Sequence, residues 1–247
     1  MGSSMWVGLS GAIARLREID VVSNNLANGD TVGFKRERVA FSSALQSAVS
    51  DLGVGPASGA PGRAFAVEAP GGIDPTTGAL AQTGEPLDVA IDGDGWFEIQ
   101  TPAGARYTRA GAFAIASDGT LTTQAGDPVM GAGGPIALGD GPATVLTTGD
   151  VLDRHGASVG RLRVVTFPEQ NALEPAGGNL YVPRPDAAPP VEVADPKVAP
   201  GSLERSNVQP VAELASLVLL QRAFEVSVRS IQSDDQSTQR LIEEMSG

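Results

Sequence analysis

What most constrains this chain is an apolar stripe, at helical spacing, that runs through its final stretch. Leu214, Leu217, Gln221, Phe224, Val228, Ile231, Thr238, Ile242 and Met245 follow one another at steps near three and four, interrupted at Asp235. That period predicts one helix from about Asn207 to the end. Pro210 suits its first turn, Glu213 sits just inside, and Ser206 or Asn207 is the expected cap. About 38 residues at about 1.5 Å each make a rod about 57 Å long. The N-terminus carries a second stripe: Met5, Leu9, Ala12, Leu16, Ile19 and Leu26, with Arg15, Arg17, Glu18 and Asp20 largely off that line. Asn28-Gly29-Asp30 supplies its stop, since Gly and Asn accept the left-handed conformation beyond a helix end.

Between the stripes the signal changes. Short runs, LDVAI (87–91), WFEI (96–99), AFAIA (112–116), RLRVVTF (161–167) and NLYV (179–182), read as strands. The turns between them are Asp-Gly or Gly-rich, at 92–95, 117–119 and 139–141. Gly/Ala/Pro-rich sequence between Asp51 and Gly84 predicts an extended connector, and PRPDAAPPVEVADPKVAPG (183–201) leads out of the β zone. The division expected is an N-terminal helix with its turn (1–41), a connector (42–84), a β-rich domain (85–200) and a C-terminal helix (201–247). The fold class is α+β: terminal helices paired in a coiled-coil-like inner domain, and a central, mostly antiparallel β-rich domain. Together the stripes exceed what a small β domain can cover. They are buried economically only against each other and against neighbouring copies, which is the layout of a subunit in a helical assembly.

Composition narrows the chemistry. A formal net charge of −12 argues against phosphate backbones as partners, so no nucleic acid is expected. There is no cysteine, which removes disulfides, thiol chemistry and Cys-zinc sites. No stretch approaches the roughly 18 apolar residues of a membrane span, and the first twenty residues lack the pattern of a secretory signal. Gly156-Ala157-Ser158-Val159-Gly160 imitates a nucleophile elbow, yet the one histidine, His155, precedes the serine and lies too close along the chain to serve as its base. Asp92-Gly93-Asp94-Gly95 imitates a calcium loop, but that register puts Ala90 and Thr101 where carboxylates are required. Both read as β-turns. Catalytic, cofactor and metal residues are expected to be absent; an extracellular β-rich enzyme or binding module is the alternative.

Three blocks carry a resemblance. SNNLANGDTVGFKRERVAF (23–41) is similar to the N-terminal signature of the flagellar rod and hook family, Asn-Asn-Leu-Ala-Asn followed by Thr-x-Gly-Phe-Lys. GSLERSNVQPVAELASLVLLQRAFEVSVRSIQSDDQ (201–236) resembles its closing segment, Leu-Glu-x-Ser-Asn-Val and then Gln-Arg-Ala-aromatic-Glu. Residues 85–131 resemble the β core of the longer members. Length leaves the two mid-sized types, proximal and distal; Pro210 and a linker after Phe41 without a long insertion resemble the proximal one. The resemblance implies a structural subunit of the periplasmic rod that transmits motor torque to the hook. It implies export through the flagellar type III apparatus without a cleaved signal, and partners that are copies of itself and other rod proteins. The expected assembly interface is Met5, Leu9, Leu16, Ile19, Asn24, Asn25, Leu26, Asn28, Gly33, Phe34 and Lys35 with Leu214, Leu217, Gln221, Arg222, Phe224, Val228 and Ile231. Asn24, Asn25 and Asn28 are expected as caps or inter-subunit donors, and Lys35, Arg36 and Arg38 as free to meet acidic neighbours.

Overall fold

A computed structural model describes residues 2–43, 66–139, 141–169 and 172–246 of the chain. They form two compact units, one drawn from 1–27, 37–71 and 209–247, the other from 28–36 and 72–208.

The first unit is helical. Helix α1 spans Gly2–Ala27 and helix α2 spans Pro210–Ser246. The two pack on one another. Strand Glu37–Ser43 pairs with strand Ala66–Ile73. Gly71 is required there: a Cβ on it would lie 2.4 Å from the carbonyl oxygen of Arg38. The segment read as a connector thus contributes this strand and a second, Leu80–Gln82; residues 44–65 of it lie outside the described residues.

Both helix ends differ in detail from expectation. α1 stops at Ala27 and residues 28–30 form a turn, but Gly29 is not left-handed; Gly33 is, with φ 67°. α2 begins at Pro210, and the Glu213 N–H donates to the Gln209 carbonyl at 3.0 Å. Gln209 therefore precedes the first turn, and Pro210 fills the position where a missing N–H costs nothing. Ser206 and Asn207 do not cap it. The Ser206 hydroxyl accepts from the Val208 N–H, and the Asn207 amide is engaged in the β unit.

The second unit is β-rich, and every strand pair described in it is antiparallel. Its main sheet has six strands in the order Leu173–Gly177, Leu180–Pro183, Gly104–Thr108, Trp96–Thr101, Val164–Thr166, Val191–Glu192. Successive side chains alternate faces. Phe97, Ile99 and Val164 therefore enter one buried cluster with Val89, Leu121 and Val151, while Trp96 and Val165 enter another with Tyr107, Leu173 and Tyr181. Edge-on ring contacts tie each cluster, Phe97 to Phe113 with centroids 5.1 Å apart and Trp96 to Tyr181 at 4.9 Å. A sheet covered on both faces explains why WFEI and RLRVVTF read as apolar runs.

The motif-like segments are turns. Asp92–Gly95 links strand Val89–Ile91 to Trp96–Thr101, with Gly93 and Gly95 at φ 115° and 143°. Ser158 opens strand Ser158–Arg161, which pairs with Asp150–Leu152, so no strand-to-helix elbow presents its hydroxyl. In the turn before it the Asp153 carboxylate accepts the N–H groups of His155 and Ala157 at 2.8 and 2.9 Å.

Hydrogen bonds in turns and, for Asp150, across a strand pair hold three carboxyls below the usual range. Asp118 is held by the Thr120 N–H, Asp150 by the Arg161 guanidinium and Thr148, and Asp153 chiefly by the Ala157 N–H. Their stabilisation is complete above the ordinary aspartate value, about pH 3.9, and is lost as pH falls through the lowered folded values. The denaturation midpoint of the β unit is therefore expected to drop as pH is lowered from about 4.5 to about 2.5, and Asp150→Asn to make that drop shallower.

Candidate assembly site

Inside the β unit, Glu204 is the acceptor around which its neighbours are arranged. It ends strand Ser202–Glu204, which pairs with Leu80–Gln82. Its Oε1 accepts from Lys35 Nζ at 2.5 Å and from the Gly78 N–H at 2.8 Å, and its Oε2 accepts from Arg109 Nη1 at 3.1 Å. The side chains of Lys35, Arg109 and Glu204 are 0%, 2% and 1% exposed. Lys35 Nζ also donates to the Thr76 carbonyl, and Arg109 Nη2 to that of Gly93. Arg109 Nε has no acceptor among the described residues, but the guanidinium lies 5.5 Å from the Trp96 ring centre, within cation–π range. Burial lowers the pKa of both cations, and the Glu204 charge opposes that shift in each.

Backbone bonds extend the clamp. The Gly33 N–H donates to the Glu204 carbonyl at 2.7 Å, and the Lys35 N–H to the Tyr181 hydroxyl at 3.0 Å. The Asn207 Oδ1 accepts from the Arg36 N–H, while its Nδ2 reaches the carbonyls of Asp74 and Thr76. Asn179, left-handed at φ 60°, donates to the Val32 carbonyl at 2.6 Å. Gly33 tolerates no side chain, since a Cβ would stand 2.3 Å from the backbone of Arg109 and Ala110. Residues 31–36 and 202–208, assigned by sequence to the helical segments, thus pack in the β unit.

Lys35 is consequently not free to meet an acidic neighbour; its ammonium group is enclosed by Glu204 and Thr76. Gly33 and Phe34 are buried as well. The asparagines divide. Asn25 is fully buried and imitates a strand residue, its amide donating to the Glu37 carbonyl at 2.9 Å and accepting from the Glu37 N–H at 2.8 Å. Asn24 donates to the Glu37 carboxylate, and Asn28 Oδ1 accepts the Thr31 hydroxyl. These bonds stay within the chain. Burial raises the Glu37 carboxyl, and the Asn24 bond only partly offsets it.

The helix stripes are incompletely covered. On α1, Ala12 and Val22 are buried and Ile19 and Leu26 half-buried, whereas Leu9, Ile13 and Leu16 are exposed. On α2, Leu217, Phe224 and Val228 are half-buried, Gln221 and Arg222 exposed, and Leu214 is 53% exposed. Val211, Val218, Leu219 and Val226 are exposed too, up to 84% at Val211. The side chains of Met5 and Ile231 lie outside the described residues. Sequence reasoning missed this second row, although Val211, Val218 and Leu219 stand beside the predicted stripe. It also missed Arg109 and the role of Glu204. For Glu204 a signal existed, because no other acid occurs between Asp195 and Glu213.

Two helices with open apolar rows, and a β unit whose interior binds the segments next to both, define a structural subunit. Residues 5–35 match the family described as flagella basal body rod protein, 90–170 the flagellar hook protein FlgE/F/G D1 domain, and 199–244 the flagellar basal body rod FlgEFG protein C-terminal. The flagellar basal-body rod protein FlgF of Caulobacter vibrioides is 34% identical over 99% of this chain and 98% of its own length. FlgF of Mesorhizobium japonicum is 36% identical over 91% of this chain and 90% of its own, and FlgG of Bacillus subtilis 31% over 97% of each. The chain belongs to the flagellar basal-body rod protein family, whose members are structural proteins and not enzymes.

Glu204→Leu alone removes the carboxylate that is bonded to two buried cations. It is expected to destabilise the β unit by about 3–5 kcal/mol in denaturant unfolding.

Proposed function

We propose that this chain is a subunit of the proximal rod of the basal body, built into a tube through its terminal helices and carrying torque toward the hook. The observation that carries the reading is the row of exposed apolar side chains on each helix, Leu9, Ile13 and Leu16 on α1 and Leu214, Val218 and Leu219 on α2. Contiguous exposed apolar surface marks interaction sites. Burying one such side chain contributes about 1.5–3 kcal/mol, so the six together can hold a subunit in place without covalent links. In the assembled tube the two helices pair in a coiled-coil-like manner, and Leu26, Ile19, Leu217, Gln221, Arg222, Phe224 and Val228 complete the contacts with neighbouring copies and other rod proteins. The subunit works in the periplasm and leaves the cytoplasm through the flagellar type III export apparatus without a cleaved signal.

The proximal position is favoured by relatives named FlgF that align over nearly the whole chain. The distal position is the second reading, favoured by FlgG proteins that align as fully, at 30–34% identity. Complementation separates them: the chain is expected to restore rods to a strain lacking its proximal-rod protein and not to one lacking the distal protein.

Leu214→Asp with Leu219→Asp is expected to abolish swimming and incorporation into purified basal bodies while the denaturation midpoint of the β unit stays unchanged. A motile strain with complete rods after deletion of this protein would refute the assignment.

A further inference from the structure

A buried ion triad is a poor stabiliser, because desolvation of each charge offsets most of the attraction, and well-packed apolar residues of similar volume often do as well. The triad here stands where backbone hydrogen bonds cannot by themselves choose a pairing. Strand Ser202–Glu204 offers the same N–H and C=O groups to Leu80–Gln82 and to Gly33 in any register. Side chains must decide. A slip by one residue would bring Leu203 or Arg205 to the place of Glu204, and a slip by two would bring Ser202 or Ser206. Arg205 there would bury a third cation beside Lys35 and Arg109. The other three would leave two cations facing no carboxylate from this segment, the next acids along the chain being Asp195 and Glu213. One register alone places a carboxylate between the two cations.

We infer that Lys35, Arg109 and Glu204 form a register lock, fixing the C-terminal strand against the N-terminal turn. A slip by one residue moves the strand by about 3.3 Å. The lock acts as a positioning device: Lys35 and Arg109 act through Glu204, and Asn207 holds the next turn of chain to Arg36 and Thr76. This inference stands whether or not the rod reading holds, because it concerns the folding of one chain.

The test is Lys35→Met with Arg109→Met and Glu204→Leu in the full chain, followed by amide NMR and denaturant unfolding. The unfolding equilibrium constant is expected to stay within about 10-fold of the parent. Residues 30–36 and 201–207 are expected to show two or more sets of amide resonances where the parent shows one. A single set, with the Gly33 amide as protected from exchange as in the parent, would overturn the lock, because backbone pairing alone would then hold the register. A triple variant that fails to fold would also overturn it, because the triad would then be a source of stability.

Discussion

One carboxylate buried between two cations organises the rest of the molecule. Lys35 and Arg109 have each been withdrawn from water, a cost of several kcal/mol per ion, and Glu204 is what makes their burial tolerable. The three come from far apart in sequence: Lys35 lies eight positions beyond the end of α1, Arg109 follows a central strand, and Glu204 shortly precedes α2. Their meeting gathers the chain segments next to both helices into the β interior. Gly33 and Gly78 follow from the same closeness. A Cβ on Gly33 would strike the backbone of Arg109, and one on Gly78 would stand 1.9 Å from the Arg205 carbonyl oxygen.

The β unit finds its own core. The helical unit does not cover all of its apolar surface. Ala12 and Val22 are inside, but Leu16 and Leu219 are in water. The β unit too leaves single apolar side chains open, such as Leu146 and Val191, but among the described residues most of the open apolar side chains are on the two helices.

The α+β class and both helices were legible because a period near 3.6 over many residues has few other solutions. Strands such as Trp96–Thr101 and Val164–Thr166 were legible as apolar runs. Gly104–Thr108 and Leu173–Gly177 were not, because GARYT and LEPAG carry neither an alternation nor a run. Of the signature asparagines, Asn25 looked like a helix stop and is instead a buried partner for the Glu37 backbone. Its local sequence does not distinguish those roles, since both need only an amide at the end of a helix. Lys35 misled for a similar reason: in an acidic chain a lysine reads as a solvated charge until its counter-ion, 169 positions away, is located.

By itself the sequence determined where the helices run, which segments turn, that the terminal stripes outgrow any small core, and to which family the signature blocks belong. Each depends on spacing or residue type along the chain, and these survive without coordinates. Only the tertiary structure decided which apolar side chains stay open, which asparagine is buried, and that the lysine of Gly-Phe-Lys and the glutamate of Leu-Glu-Arg are partners. Those facts depend on distance through space, and residues far apart in sequence become neighbours only when the sheet brings their strands together.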